Sequence, residues 1–379
     1  MIPERPALER RVLTALDASP SRVPVLLGGC GSGRTSTLLR LREMIGRTNC
    51  QYVDVERIAT TPERLLHALV ETLPFPAPPY GPRPVGEASP RDALDATLAL
   101  LNTSRAPGGG AATFLIDEAL EFRTFESFPG LRTVMRDVID ALTASPNRFV
   151  LSTRYVSRAH RLLRDAPAHF EVIHMPPLSV TEVAAALAHV GAPPDDGELA
   201  RAVQALADGR PAYVAAIAEA VAALSRHGPA DVISALASLF APGGQLWATC
   251  RFCYELRLHR ARGYGALKAI LDVLAADEPL TLTEVATRLR RTPGSTKDYL
   301  SWLEDVDLVT VRQKRYSYAD PLLRLWVRLH CRPAPPGEED LAREIQSYAL
   351  TRLPRPEPAL AVAGAGPDDR KSWGIIEID

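Results

Sequence analysis

Gly28-Gly29-Cys30-Gly31-Ser32-Gly33-Arg34-Thr35-Ser36 decides the reading of this chain. It matches the phosphate-binding loop pattern G-x-x-x-x-G-K-[ST] at every position except the lysine, where Arg34 stands. Small residues let consecutive backbone N–H groups turn inward onto phosphate oxygens, and the positive end of the next helix adds to that pull. The flanks give the loop its expected context. Val23-Pro-Val-Leu-Leu27 reads as a buried parallel strand entering it, and the apolar spacing of Thr35 to Ile45 predicts a helix leaving it.

Further along, Gln51 to Glu56 predicts a short strand, with a helix from Pro62 to Leu73. The proline- and glycine-rich run from Pro74 to Pro90 predicts a surface excursion, and a helix follows from Arg91 to Leu101. After a Gly108-Gly-Gly110 turn, Ala112-Thr-Phe-Leu-Ile116 ends in Asp117-Glu118. At the carboxyl end of a strand beside the glycine loop, Asp117 is placed to hold Mg²⁺ together with Thr35. Glu118, one residue on, is placed to polarise an attacking water as a general base. A helix from Leu131 to Leu142 leads to the strand Arg148-Phe-Val-Leu-Ser152, which ends in Thr153-Arg154. Open α/β sheets bind ligands beyond the carboxyl ends of their strands, so Ser152, Thr153 and Arg154 are expected on the same rim as Asp117. Glu171 to Leu178 predicts another strand, and Ser179-Val-Thr-Glu182 is a capping box opening an alanine-rich helix. From there to about Leu239 the pattern is helical, broken at Gly209, with Pro211 suited to a first helical turn.

The second half reads differently. Gly265 to Ala276 and Thr281 to Arg290 are amphipathic helices, the latter with Thr-x-x-Glu capping spacing at Thr281 and Glu284. Thr292-Pro-Gly294 is expected as the turn before a third helix, Ser295 to Asp305. Leu308 to Ala319 alternates as a hairpin with a basic tip. Helix-turn-helix plus wing is a DNA-reading geometry, for which Arg290, Arg291, Lys297, Arg312, Lys314 and Arg315 supply positive charge. Glu284, Asp298, Glu304, Asp305 and Asp307 lie among them, and winged helices also serve as protein-docking units, so both readings stand. Asp320 to His330 predicts a packing helix and Glu338 to Leu350 another. Leu353 to Arg370 reads as a flexible linker, and the tail Lys371 to Asp379 carries an apolar patch suited to a protein partner or a frayed end.

Composition sets the bounds. The chain has 379 residues, enough for two or three domains, with 46% hydrophobic and 23% charged residues. A net charge of −1 gives no global pull toward nucleic acid or an anionic membrane, so such binding has to come from a local patch. No long apolar run predicts a membrane span, and the N-terminus lacks a signal-peptide layout, so a cytoplasmic protein is expected. Five cysteines are then expected as reduced thiols. Cys250-Arg-Phe-Cys253 has half a zinc-knuckle spacing without a second pair, and reads as two thiols on one helical turn.

The ordered set of glycine loop, Asp117-Glu118 strand, Ser152-Thr-Arg154 strand end, Ser179 lid helix and Gly209-Arg210-Pro211 resembles the AAA+/STAND superfamily of P-loop ATPases with a C-terminal winged helix. Segments similar to Asp320-Pro-x-x-Arg-x-Trp326 follow the wing in those proteins. The resemblance implies an α/β P-loop NTPase core with a parallel sheet and helices on both faces (1–177), a helical lid (178–245), a winged-helix domain (246–335) and a C-terminal helix, linker and tail (336–379). It implies ATP or ADP with Mg²⁺ as cofactors. Gly28, Gly29, Cys30, Gly31, Ser32, Gly33, Arg34, Thr35, Ser36 and Thr153 would bind nucleotide, with Gly209, Arg210 and Pro211 from the lid. Arg154 would contact the γ-phosphate. It further implies ATP-dependent homo-oligomerisation, contact with double-stranded DNA and no membrane association. Arg34 departs from the family's lysine: guanidinium still neutralises phosphate but is planar and less free to follow charge in a transition state. Slow hydrolysis is therefore expected, with a non-hydrolysing scaffold as the alternative.

Overall fold

A computed structural model describes residues 4–76, 89–164, 169–193, 197–226, 231–259 and 263–353. Most of the Pro74–Pro90 excursion, the linker and the tail Lys371–Asp379 lie outside the described residues.

Five strands make a parallel sheet: β1 (Val23–Leu27), β2 (Cys50–Asp54), β3 (Thr113–Asp117), β4 (Arg148–Thr153) and β5 (Phe170–His174), in the order β2-β3-β4-β1-β5. All of β1 and β3 is buried, as expected of strands covered on both faces. Alternation divides the core between the two faces. Leu26, Leu115, Val150 and Ile173 face the helices Pro6–Asp17 and Arg34–Ile45 through Leu8, Val12, Leu38 and Leu41. Val25, Leu27, Val53, Phe114, Ile116, Phe149 and Leu151 belong to the larger core on the opposite face, where the Phe114 and Phe149 rings stack at 5.6 Å. In register, Val25 lies beside Leu151, and Asp54 beside Asp117, so the carboxyl ends of β2, β3, β4 and β1 form one rim.

Several element boundaries differ from the sequence expectation. Val55 and Glu56 leave the strand and open a short helix, Val55–Ile58, because Asp54 caps it by accepting from Arg57 N at 3.1 Å. The strand expected to run to Leu178 ends at His174. Thr292-Pro-Gly294 is not a turn: Thr292 caps the helix Pro293–Asp305, and Pro293 occupies its first turn, where a missing N–H costs nothing. The 3-10 segment Ala119–Ser127 has no expected counterpart.

After the sheet, the helices Val180–His189, Glu198–Leu206, Pro211–Ser225 and Val232–Phe240 form a bundle. The Ser179–Glu182 capping box is present in full. Gly209 has φ +60°, and a Cβ there would meet Pro177 at 2.6 Å, so the break before Pro211 needs glycine on both counts. The helix Gln245–His259 then leads to Tyr264–Ala276, Leu282–Arg288 and Pro293–Asp305, with β6 (Leu280–Thr281), β7 (Val309–Arg312) and β8 (Arg315–Tyr318) in the order β6-β8-β7. This is the element order of a winged helix. Gln313 and Lys314 at the hairpin tip both have positive φ, as a two-residue turn matched to strand twist requires. The helices Pro321–His330 and Glu338–Arg352 complete the described chain.

Candidate functional site

The glycine loop joins β1 to the helix Arg34–Ile45, with Gly31 and Gly33 at φ +76° and +87°. Three of its carbonyls accept side-chain or backbone hydrogen bonds. Gly29 O accepts from Arg34 Nη1 at 3.1 Å, Cys30 O from Arg210 Nη1 at 3.1 Å, and Gly31 O from Ala212 N at 3.1 Å. Ser32 N, the amide linked to Gly31 O, donates to Gly29 O at 3.3 Å and closes a turn within the loop. A Cβ on Gly28 would come within 2.6 Å of Ser32 Oγ, and that hydroxyl is buried without a protein partner. A helix N-terminus at Arg34 and the orphaned buried Ser32 hydroxyl suit the phosphates of a nucleotide.

Thr35, Asp117 and Ser152 meet at the rim. Thr35 Oγ1 donates to Asp117 Oδ2 at 2.6 Å, Tyr52 OH donates to the same oxygen at 2.9 Å, and Ser152 Oγ donates to Asp117 Oδ1. Burial and the Asp117 charge together push the Tyr52 hydroxyl above its ordinary range, so it stays a donor. One hydroxyl and one carboxylate at this spacing suit a hard cation such as Mg²⁺.

Glu118 sits at φ 52°, where a non-glycine residue is uncommon, and its carboxylate is held between two arginines. Arg34 Nη2 lies 2.5 Å and Arg154 Nε 3.0 Å from Oε1, while Arg154 N donates to Oε2 at 3.1 Å. Arg34 and Arg154 are both 8% exposed and Glu118 is 6% exposed, so this is a buried ionic cluster. Arg154 also pairs with Glu56. Burial opposes its charge, but Glu118, Cys30 and Glu56 override that cost and raise its pKa. The motif expectation puts Arg34 and Arg154 on phosphates and Glu118 on water; the structure places all three on one another.

Thr153 lies below the loop: its carbonyl accepts from Gly28 N at 3.4 Å and its hydroxyl from Tyr155 N at 3.2 Å. Gly33 and Ser36 stand at the start of the loop helix, Gly33 as its cap. Of Gly209, Arg210 and Pro211, Arg210 reaches the loop; Gly209 packs against Pro177 and Leu178, and Pro211 opens the helix Pro211–Ser225. Besides Cys30 O, the Arg210 guanidinium contacts Asp320 Oδ2 at 3.0 Å and Ala319 O at 2.7 Å, at the end of the wing. Tyr213 OH donates to Asp320 at 2.7 Å. A second bridge runs through Arg257, which reaches Cys30 Sγ at 3.1 Å and Asp307 O at 2.8 Å. Asp307 in turn accepts from Val156 N, at 2.6 Å, on the helix that follows Arg154. Tyr52, Glu56, Arg257, Asp307 and Asp320 were not singled out as site residues in the sequence reading. Only Asp320 left a signal, as the acid before Pro321 that caps a helix.

Arg290, Arg291, Lys297, Arg312, Lys314 and Arg315 are all exposed. They do not present bare charge uniformly: Arg315 lies 3.7 Å from Glu284, and the Arg291 guanidinium rests over the Tyr299 ring at 5.5 Å.

Sheet order, glycine loop and rim acids together define a P-loop α/β fold. Among solved structures the chain is similar to the Walker-type ATPase PABY2304 of Pyrococcus abyssi, with 18% identity over 86% of this chain and 96% of that one, at a TM-score of 0.64. It also matches the Aeropyrum pernix ORC1 protein in complex with DNA (15% identity, 92% and 93% covered, TM-score 0.45) and a Thermotoga maritima RuvB variant (12%, 83% and 92%, 0.42). No family model matches the chain. No curated protein matches it either. Among the described residues, no helix is long and apolar enough to cross a membrane.

Proposed function

We propose that this chain is an ATP- and Mg²⁺-binding switch in which nucleotide state sets the position of the winged helix, and through it oligomerisation or contact with double-stranded DNA. Gly28 to Ser36 would hold the phosphates, and Thr35 and Asp117 the metal. The metal would neutralise charge on the phosphates. The observation that carries the reading is Arg210, whose guanidinium joins the loop carbonyl of Cys30 to Asp320 and Ala319 beyond the wing. A ligand that reshapes the loop changes one end of that bridge, and linkage requires the winged helix to feel it.

Hydrolysis is proposed to be slow. Glu118 polarises water only when its carboxylate is free to accept a proton, and here Arg34 and Arg154 hold it. The same observation favours a second reading, a non-hydrolysing scaffold in which nucleotide is structural and the winged helix docks protein. Phosphate release by wild type and Glu118→Gln separates the two. Slow release abolished by the substitution, with ATP binding intact, is expected; binding with release that ignores the substitution supports the scaffold.

A further inference from the structure

The glycine loop carries a thiol, and a second thiol meets it from the helix that leads into the winged helix. Cys30 lies two residues into the loop and is half-buried; Cys253 is buried on the helix Gln245–His259. The two thiols lie against each other. One turn after Cys253, Arg257 places Nη2 3.1 Å from Cys30 Sγ. The contact with Cys253 comes first in holding the Cys30 thiol well below the ordinary range; burial opposes it, and Arg257, Arg154 and Arg34 add positive charge. Cys253 is pushed the other way, by that same contact and by burial. The remaining cysteines stand apart in character. Burial pushes Cys50 up to about 12 and Cys331 to about 11, and Cys250 is buried beside Tyr213. A reactive thiol with a protonated neighbour in contact is the arrangement a two-step thiol oxidation needs.

We propose that Cys30 and Cys253 form a peroxide-sensitive thiol pair, Cys30 the attacking sulfur and Cys253 the resolving one, whose disulfide ties the glycine loop to the helix Gln245–His259. In the first step the Cys30 thiolate attacks a hydroperoxide: an S–O bond forms, the O–O bond breaks, and hydroxide leaves. In the second, Cys253 attacks the sulfenic sulfur; the S–S bond forms, the S–O bond breaks, and the departing hydroxide takes the Cys253 proton as water. Two thiols are oxidised by two electrons and one hydrogen peroxide is reduced to two waters. The bond fixes a loop whose amides are proposed to close on phosphate, and only this consequence rests on the function proposed above.

Peptide mapping of the full native chain after brief treatment with hydrogen peroxide tests the pair. Trypsin releases Cys30 in Val23–Arg34 and Cys253 in Phe252–Arg257, while Cys250 stays on the peptide ending at Arg251. The expected result is a linked Val23–Arg34/Phe252–Arg257 species, a fall from five free thiols to three, and the same link in Cys250→Ser. A link through Cys250, or peroxide consumption with no link, overturns the proposal. Oxidised wild type should bind Mg-ATP about tenfold more weakly or worse, a loss of ~1.4 kcal/mol, with recovery in dithiothreitol. Equal binding by the oxidised and reduced forms contradicts the locking. A reduced protein that ignores ATP counts against the proposed function, and the peptide link alone then decides the thiol chemistry.

Discussion

Arg34 carries the largest single departure of this site from the lysine pattern. A guanidinium offers a fork, and here one arm holds Gly29 O while the other pairs with Glu118. An ammonium is a compact point charge that cannot span both. Arg34→Lys should therefore free Glu118, raising steady-state phosphate release by about tenfold, or ~1.4 kcal/mol of barrier. Unchanged or lower release with ATP binding preserved contradicts this role for Arg34.

Asp307 supplies a second prediction at the same scale. Burial, partly offset by Arg257 and the Val156 and Ser157 amides, raises its carboxyl from 3.8 to about 6. The folded protein therefore binds more protons there than the unfolded chain between these values, and stability falls as pH rises from about 4 through 6. At one unit per ~1.4 kcal/mol the upper bound is about 3 kcal/mol. Asp307→Asn should remove that slope, so the difference in urea midpoint between variant and wild type should grow in the variant's favour from pH 5 to pH 7. A difference independent of pH contradicts the buried-acid account.

At the scale of elements, much of the molecule was legible because periodicity and punctuation agreed. The strands around the loop, the capping boxes at Ser179 and Thr281 and the wing with its two-residue tip all follow local rules. What escaped was what local rules do not encode. Val55 and Glu56 read as strand because they extend an apolar run, but the Asp54 cap starts a helix that carries Glu56 to Arg154. The glycine loop and Asp117-Glu118 were visible as motifs, whereas the pairing of Glu118 with Arg34 depends on contact across 84 positions. Arg257 carried no motif and Asp307 stood only among the acids near the basic hairpin; the packing of the helix Gln245–His259 on the loop gives both their place. The bridge through Arg210 is testable on its own. Asp320 is 5% and Arg210 15% exposed, so Asp320→Ala leaves a nearly buried cation and should cost about 3 kcal/mol of stability by denaturant midpoint. In a double-mutant cycle with Arg210→Ala, strictly additive losses would contradict a direct coupling between the lid and the end of the wing.

For the whole molecule, a few charged contacts join the glycine loop to the segments flanking the β7–β8 hairpin, beside an apolar core shared along the described chain. Two arginines each touch the residue Cys30 and opposite ends of the β7–β8 hairpin: Arg257 reaches Asp307 before it, and Arg210 reaches Ala319 and Asp320 after it. A molecule built this way should change mass or shape in solution when nucleotide binds, and more so with ATP than ADP. If the wing reads DNA, duplex affinity should fall with salt, and replacing Arg312, Lys314 and Arg315 by alanine should flatten that dependence by a slope of about two to three. Binding unaffected by salt supports protein docking instead.

Amide hydrogen exchange with and without Mg-ATP reports on both ends of the proposed switch at once. With nucleotide bound, exchange should slow across Gly28 to Ser36 and, in the same samples, change at Ala319 and Asp320, where the Arg210 bridge ends. Unchanged exchange in the glycine loop at saturating nucleotide would contradict the switch.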